Sequence, residues 1–216
     1  MRLPAKAGLH DDIIRVCIEV GSEQGEEGLT MRAVAKRLDV SVTALYQHFE
    51  NKGAILREVR VHGVRVLHAY LTDAVPGDDQ AQRICEIARA YVKFARLNPW
   101  LYKVLFCSDE IEWESLTRDE MDEALLPMTL VRQTFAEGVK SGAFCTSLDV
   151  EQAIFVTWAS LHGLVSLMLQ GRIRRGHPAF PVDEDAFVEV FVRNLVHGFV
   201  GARTGSGGGL CCPEAP

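Results

Sequence analysis

The sequence predicts an all-α chain, with a small N-terminal three-helix unit followed by a larger helical bundle. Apolar residues recur at three- and four-residue spacing along most of the 216 residues, no segment alternates apolar and polar side chains as a half-buried strand would, and Gly and Pro turn signals are few and widely spaced. Hydrophobic residues make up 48% of the chain, enough to fill a core of its own.

The first helix is expected from about Leu9 to Gln24, with Ile13, Ile14, Cys17 and Ile18 on one face, broken by Gly25 and Gly28. Thr30 is a natural N-cap for a short helix from about Met31 to Arg37, because its hydroxyl can accept from a main-chain N–H that the first turn leaves unpaired. Asp39-Val40 reads as a turn, and Ser41 as the cap of a third helix over about Val42 to His48. A fourth helix runs from about Asn51 to Tyr70. After the Pro76-Gly77-Asp78 loop a helix covers about Asp79 to Leu97, stopped by Asn98-Pro99, and Pro99 suits the first turn of a short helix that follows. Residues 108–116 read as a polar connection. Thr117 to Glu120 fits a capping box that opens a helix to about Lys140, kinked or broken at Pro127 and ended by Ser141-Gly142. Two long helices close the fold, from about Asp149 to Gln170 and from Asp183 to about Ala202. The tail, 204–216, is glycine-rich and expected to be disordered.

The second and third helices, separated by a tight turn, have helix-turn-helix spacing, in which the second member of the pair enters the DNA major groove. The third helix offers Ser41, Val42, Thr43, Ala44, Tyr46, Gln47 and His48 outward. Small residues at its start let the backbone approach base edges. Thr43 can donate, accept or touch a thymine methyl, and Gln47 can pair bidentately with adenine or reach a phosphate. Tyr46, His48 and Lys52 are long polar groups suited to phosphate, and Lys52 sits in a helical first turn that itself favours an anion.

The run LTMRAVAKRLDVSVTALYQHFENKGAILREV, at Leu29 to Val59, resembles the DNA-binding domain of the tetracycline-repressor-like (TetR) family in order, spacing and residue type. That resemblance implies that Thr30, Arg32, Ser41, Thr43, Ala44, Tyr46, Gln47, His48 and Lys52 face DNA, and that Val34, Ala35, Leu38, Val40, Leu45 and Phe49 form the small core. Arg32 also suits a plain solvated arginine. Asp39 departs from the glycine usual at that turn, a place where Asp tolerates a left-handed backbone better than most residues. Farther on, Asn98-Pro99, Phe106, Trp158, His162-Gly163 and Leu164 to Leu167 resemble a subgroup marked by a Trp…His-Gly pattern, which implies the same dimeric architecture.

The formal charge is −6, yet residues 30–60 hold six Lys or Arg against three Asp or Glu, so a small basic face stands on an acidic body. Among enzyme signatures there is no GxSxG, HExxH, P-loop or helix-opening GxGxxG, so no catalytic residues and no cofactor are expected. The six cysteines lack metal-site spacing and read as reduced thiols of a cytoplasmic chain, with no metal, no export signal and no membrane span expected. Cys211-Cys212 reads as part of an inert tail, and the acidic run around Asp109 to Glu123 as a solvated connection and helix start.

These readings divide the chain into a helix-turn-helix DNA-binding domain at 1–60, a ligand-sensing and dimerisation domain at 61–203 and the tail. Trp100, Phe106, Met128, Phe135, Trp158 and His162 are candidates to line an effector pocket, with ordinary core packing the alternative for each. Leu161, Gly163, Leu164, Val165, Met168, Phe191, Leu195, Gly198 and Phe199 are candidates for a homodimer seam, with glycines at intrachain helix crossings the alternative. The expected partners are a double-stranded operator, an apolar or aromatic small-molecule effector and a second copy. The function expected is ligand-released repression at a palindromic site. The alternatives are an activator or a ligand-independent regulator, or a helical small-molecule-binding or scaffold protein whose DNA-binding head no longer functions.

Overall fold

A computed structural model describes residues 8–74, 77–107, 116–179 and 181–200. Among the described residues ten helices follow one another: α1 (Leu9–Gly28), α2 (Met31–Leu38), α3 (Val42–Tyr46), α4 (Lys52–Asp73), α5 (Gln80–Leu97), α6 (Pro99–Phe106), α7 (Arg118–Ala124), α8 (Leu126–Ser141), α9 (Val150–Leu169) and α10 (Glu184–His197). Strand pairing among the described residues is confined to one isolated bridge, Arg174 to Pro181. Trp113, the acidic residues Asp109 to Glu114, Gly201 and Cys211-Cys212 lie outside the described residues.

The chain packs into two compact units. The first joins the described residues up to Val66 with those between 97 and 124, and α4 runs unbroken through residue 60. Its core is built on the inner face of α1, where Ile13, Val16, Cys17 and Val20 are buried with Val34, Ala35, Leu45, Phe49, Ile55 and Val59. Burial of each large aliphatic side chain contributes roughly 1.5–3 kcal/mol. Gly21 lets α6 close onto α1: a Cβ there would lie 2.3 Å from the Trp100 indole. Gly25, at φ 72 and ψ −172, kinks α1, and the helix then resumes for one turn to Gly28 instead of ending at Gln24.

The second unit, the described residues of 67–96 with those from Leu125 onward, is a bundle around α5, whose Ile84, Ile87, Ala88, Tyr91, Val92 and Phe94 are buried. Arg89 grips Glu189 and Arg96 grips Asp185, linking α5 to α10; Arg132 pairs with Glu151 and Arg83 with Glu137, linking α8 to α9 and α5 to α8. Ion pairs at a partly exposed surface add little stability each. Phe135 is enclosed by Phe144 and Phe199, at ring centroid distances of 5.2 and 5.1 Å.

Local chemistry sets the element ends. Thr117 and Glu120 form the reciprocal capping box, the Thr117 N–H donating to Glu120 Oε2 at 2.8 Å and the Glu120 N–H to Thr117 Oγ1 at 3.3 Å. The Thr117 hydroxyl and N–H also hold the Glu120 carboxyl below the usual carboxylate range. The chain breaks at Leu125, φ −92 and ψ 0, and Pro127 falls in the first turn of α8, where its missing N–H leaves no bond unmade. Asp149 and Asp183 cap α9 and α10, while Gly142 and Gly171, at φ 79 and 67, end α8 and follow α9. α10 stops at His197, short of the expected Ala202, because the chain turns at Gly198 and the Phe199 carbonyl accepts from the Cys145 N–H at 3.0 Å.

Candidate nucleic-acid interface

Three short-range devices hold the α2–turn–α3 segment. Thr30 Oγ1 accepts from the Ala33 N–H at 3.1 Å, and Ser41 Oγ from the Ala44 N–H at 3.2 Å, so each helix starts at its predicted cap. Between them Asp39 takes φ 55 and ψ 44, and the Val40 N–H reaches back to the Ala35 carbonyl at 3.0 Å. This left-handed residue closes α2 and turns the chain into α3.

α3 is shorter than expected, ending at Tyr46, because the His48 and Phe49 N–H groups both converge on the Leu45 carbonyl and tighten the last turn. Leu45, fully buried, and Phe49 anchor it to Val34 and Ala35 in the core of the first unit. The remainder faces outward. Thr30, Arg32, Ser41, Thr43, Tyr46, Gln47 and His48 are exposed, and Val42 and Ala44 are half-buried. Leu38 and Val40, expected in the small core, are only half-buried.

The basic groups of this unit differ in availability. Arg37 is committed to α1, donating from both terminal nitrogens to Glu23, whose carboxyl it holds below the usual range. Arg15 is likewise held by Asp12 and Glu19 on its own helix. Arg32 and Lys36 are exposed on α2. Lys36 counts in the basic balance of residues 30–60 but is outside the set of residues expected to face DNA. Lys52 is half-buried, and its ammonium donates to the Glu26 carbonyl at 3.0 Å. His10, another residue outside that set, stacks on Phe49 and meets the edge of His48. No local pattern pairs residues so far apart in the chain.

The six pocket candidates fall in both units. Trp100 and Phe106 belong to the first unit, where Trp100 is packed over Gly21 and Phe106 lies against Tyr102. Met128, Phe135, Trp158 and His162 belong to the second. There Phe135 is sealed in its three-ring cluster, while Trp158 is 38% exposed and leans on His162 at 5.8 Å. Burial pushes the His162 imidazole down from its ordinary range.

The seam candidates also divide. Leu161, Leu164, Val165 and Phe199 are buried within their own chain. Gly163 and Gly198 are exposed, and Met168, Phe191 and Leu195 are half-buried. The exposed apolar residues of the two last helices are Phe155, Val156, Trp158, Leu167 and Val190, which the sequence did not single out as a face. α9 is long and apolar enough to cross a membrane by length and composition alone, a property that core helices share.

The residue patterns and the fold agree with known proteins. Residues 13–59 match the family model for bacterial regulatory proteins of the tetR family, and residues 84–195 match the model for the tetracyclin repressor-like C-terminal domain. An HTH-type transcriptional regulator from Mycobacterium tuberculosis, itself uncharacterised, is 25% identical over 212 residues, 95% of this chain and 87% of that protein. An uncharacterised HTH-type regulator of Bacillus subtilis is 30% identical and the class C tetracycline repressor of Escherichia coli 35% identical. The matches cover 48% and 39% of those two proteins, so the chain spans less than half of each. In fold alone, a Rhodococcus protein of unknown function superposes with a TM-score of 0.77 at 21% identity, covering 93% of this chain and all of its own. With its helix-turn-helix segment and more than half of its length matched to this one family, the chain belongs to the TetR family of bacterial transcriptional regulators.

Proposed function

We propose that this regulator is an effector-released repressor that covers a palindromic operator as a homodimer. The head, residues 1–60, reads the site, and residues 61–203 dimerise and sense. The observation that carries the reading is the presentation of α3: a capped helix anchored by Leu45, with Ser41, Thr43, Tyr46, Gln47 and His48 all exposed. Thr43 and Gln47 are the base-reading pair. Thr30, Arg32, Lys36, Tyr46, His48 and Lys52 serve the phosphates.

A sensing role is supported by a polar atom in the second unit. Thr157 is 4% exposed, and its hydroxyl has no hydrogen-bond partner among the described residues. A buried hydroxyl left unpaired is costly, and an effector with a hydrogen-bonding group would relieve it. The effector acts only through its different affinities for the DNA-competent and released states.

A gel-shift with a duplex from the region upstream of the protein's own coding sequence tests the reading. The expected result is a discrete complex that weakens steeply as salt rises, because each neutralised phosphate releases counterions. Failure to bind that duplex better than random DNA, with a folded protein, would overturn it.

A further inference from the structure

His10 comes from the first turn of α1 and His48 from the turn that leaves α3. Their rings meet edge to face, with centroids 6.4 Å apart at 64°. The His10 imidazole also lies flat on Phe49, at 4.8 Å and 27°, and Phe49 is 5% exposed, so the stack rests on the core of the first unit. His48 is exposed and His10 half-exposed. Two imidazoles from distant parts of the chain therefore stand side by side next to Tyr46 and Gln47, at the end of the helix that the reading above assigns to the major groove.

We propose that His10 is a further DNA-facing residue, and that it forms with His48 an imidazole pair that takes up protons when the head docks on a phosphate backbone. The inference rests on the DNA-binding reading. Imidazole is the side chain that changes charge between about pH 5 and 8. A phosphate brought close to an imidazole favours its charged form. The bound head thus holds more protons than the free head. Linkage then requires affinity to rise as pH falls through the imidazole range.

Other ionisable groups stand around the pair. Asp11 has a carboxylate oxygen 3.4 Å from His10 Nδ1, Glu50 follows Phe49 along the chain, and Tyr46 ends α3. None of these side-chain types changes charge in that window.

The test is fluorescence anisotropy of the full chain with a labelled random-sequence duplex of about 30 base pairs, at constant low ionic strength, from about pH 8 to about pH 6. Random DNA suffices because the proposed contact is to phosphate. Wild-type affinity should rise by up to about tenfold per pH unit for each linked proton. His10→Phe keeps a ring on Phe49 and removes the titrating group, so it should bind like wild type at about pH 8 and lose part of the rise toward pH 6. His48→Gln removes a group already assigned to the phosphates, so it should bind more weakly at every pH and also lose part of the rise, and the double variant should be flat. His10→Gln, which adds no apolar ring, repeats the test should the phenylalanine disturb folding, with a circular-dichroism melt as the check. A His10→Phe slope equal to that of wild type, or wild-type binding independent of pH, overturns the proposal and leaves the DNA-binding reading standing. No wild-type binding at any pH overturns both.

Discussion

The ammonium of Lys52 lies 3.0 Å from the main-chain carbonyl of Glu26, tying the first turn of α4 to the last turn of α1. The last carbonyls of a helix have no partner inside it and carry partial negative charge. α1 has no basic residue in its own last turn, and Lys52 supplies the missing cation from another helix. An ammonium has three donors, so the clamp leaves two for a phosphate. Lys52→Ala is therefore expected to have two effects. It should lower stability by about 1 kcal/mol through the lost charged hydrogen bond, and weaken binding to all duplexes alike while flattening the salt dependence by about one unit of slope. Thr43→Ala and Gln47→Ala should change base preference and leave the slope alone. A Lys52→Ala protein with an unchanged slope and altered preference would reverse these roles. Anisotropy titrations over a panel of duplexes and a salt series separate the cases.

Among the described residues Asp39 is the one non-glycine with positive φ, at 55°. Its N–H closes α2 onto the Ala35 and Lys36 carbonyls, so the conformation is needed even though an L-residue resists it. Asp39→Gly should raise stability by up to about 1 kcal/mol, and Asp39→Val should lower it by about 1 kcal/mol or more. Neither change touches the exposed groups of α3, so base preference should stay as it is. Thermal melts together with a binding-site selection would check both halves. A destabilised Asp39→Gly would mean that the aspartate side chain contributes more than its backbone strain removes.

Gly138 and Gly163 both sit inside helices, and the structure gives them opposite surroundings. A Cβ on Gly138 would fall 2.2 Å from the Phe144 ring, which is itself locked against Phe135. Gly138→Ala should accordingly cost about 1–3 kcal/mol in a denaturant titration, since the whole ring cluster must shift. A Cβ on Gly163 meets nothing within 4 Å. Gly163→Ala should leave the protomer fold intact or firm α9 by up to about 1 kcal/mol. Equal losses at the two positions would show that helix propensity, and not packing, governs them.

These two glycines mark the limit of what the sequence makes legible. Thr30, Ser41, Asp149, Asp183 and the Thr117–Glu120 box are caps whose partners lie within three residues, so their chemistry is written locally and each helix start is readable. The exposed side of α3 was readable for the same reason, since Leu45 alone fixes its phase. α9 is different. Apolar residues occur all around it, so periodicity cannot say which side its own chain covers, and Leu161, Leu164 and Val165 turned out to be core while Phe155, Val156 and Leu167 face outward. Likewise Trp100 over Gly21 and His10 on Phe49 are contacts between distant segments, which only packing decides.

The outward face of α9 and α10 leads to the last prediction. Gln152, Phe155, Val156, Ala159, Gly163 and Leu167 recur at three- and four-residue spacing, and all are exposed. Such a spacing makes a single stripe along the helix. Beside it Ser160, Phe187, Val190, Phe191, Asn194 and Leu195 line an open groove of about 400 Å³. A contiguous apolar patch of this kind on a monomer marks an interaction surface. A Cβ on Gly163 would meet nothing within 4 Å among the described residues, and with Ala159 this glycine leaves the middle of the stripe low enough for another helix backbone to approach. The proposed occupant is the same face of a second copy, packed as a four-helix seam whose symmetry matches a palindromic operator. Leu167→Glu and Val190→Glu should each give a folded monomer, because neither side chain supports its own core. Each should lose most affinity for a duplex carrying two half-sites, as half of the contacts vanish, yet bind a single half-site as weakly as wild type does. Sedimentation of both variants decides it: if both remain dimers, this face is not the seam.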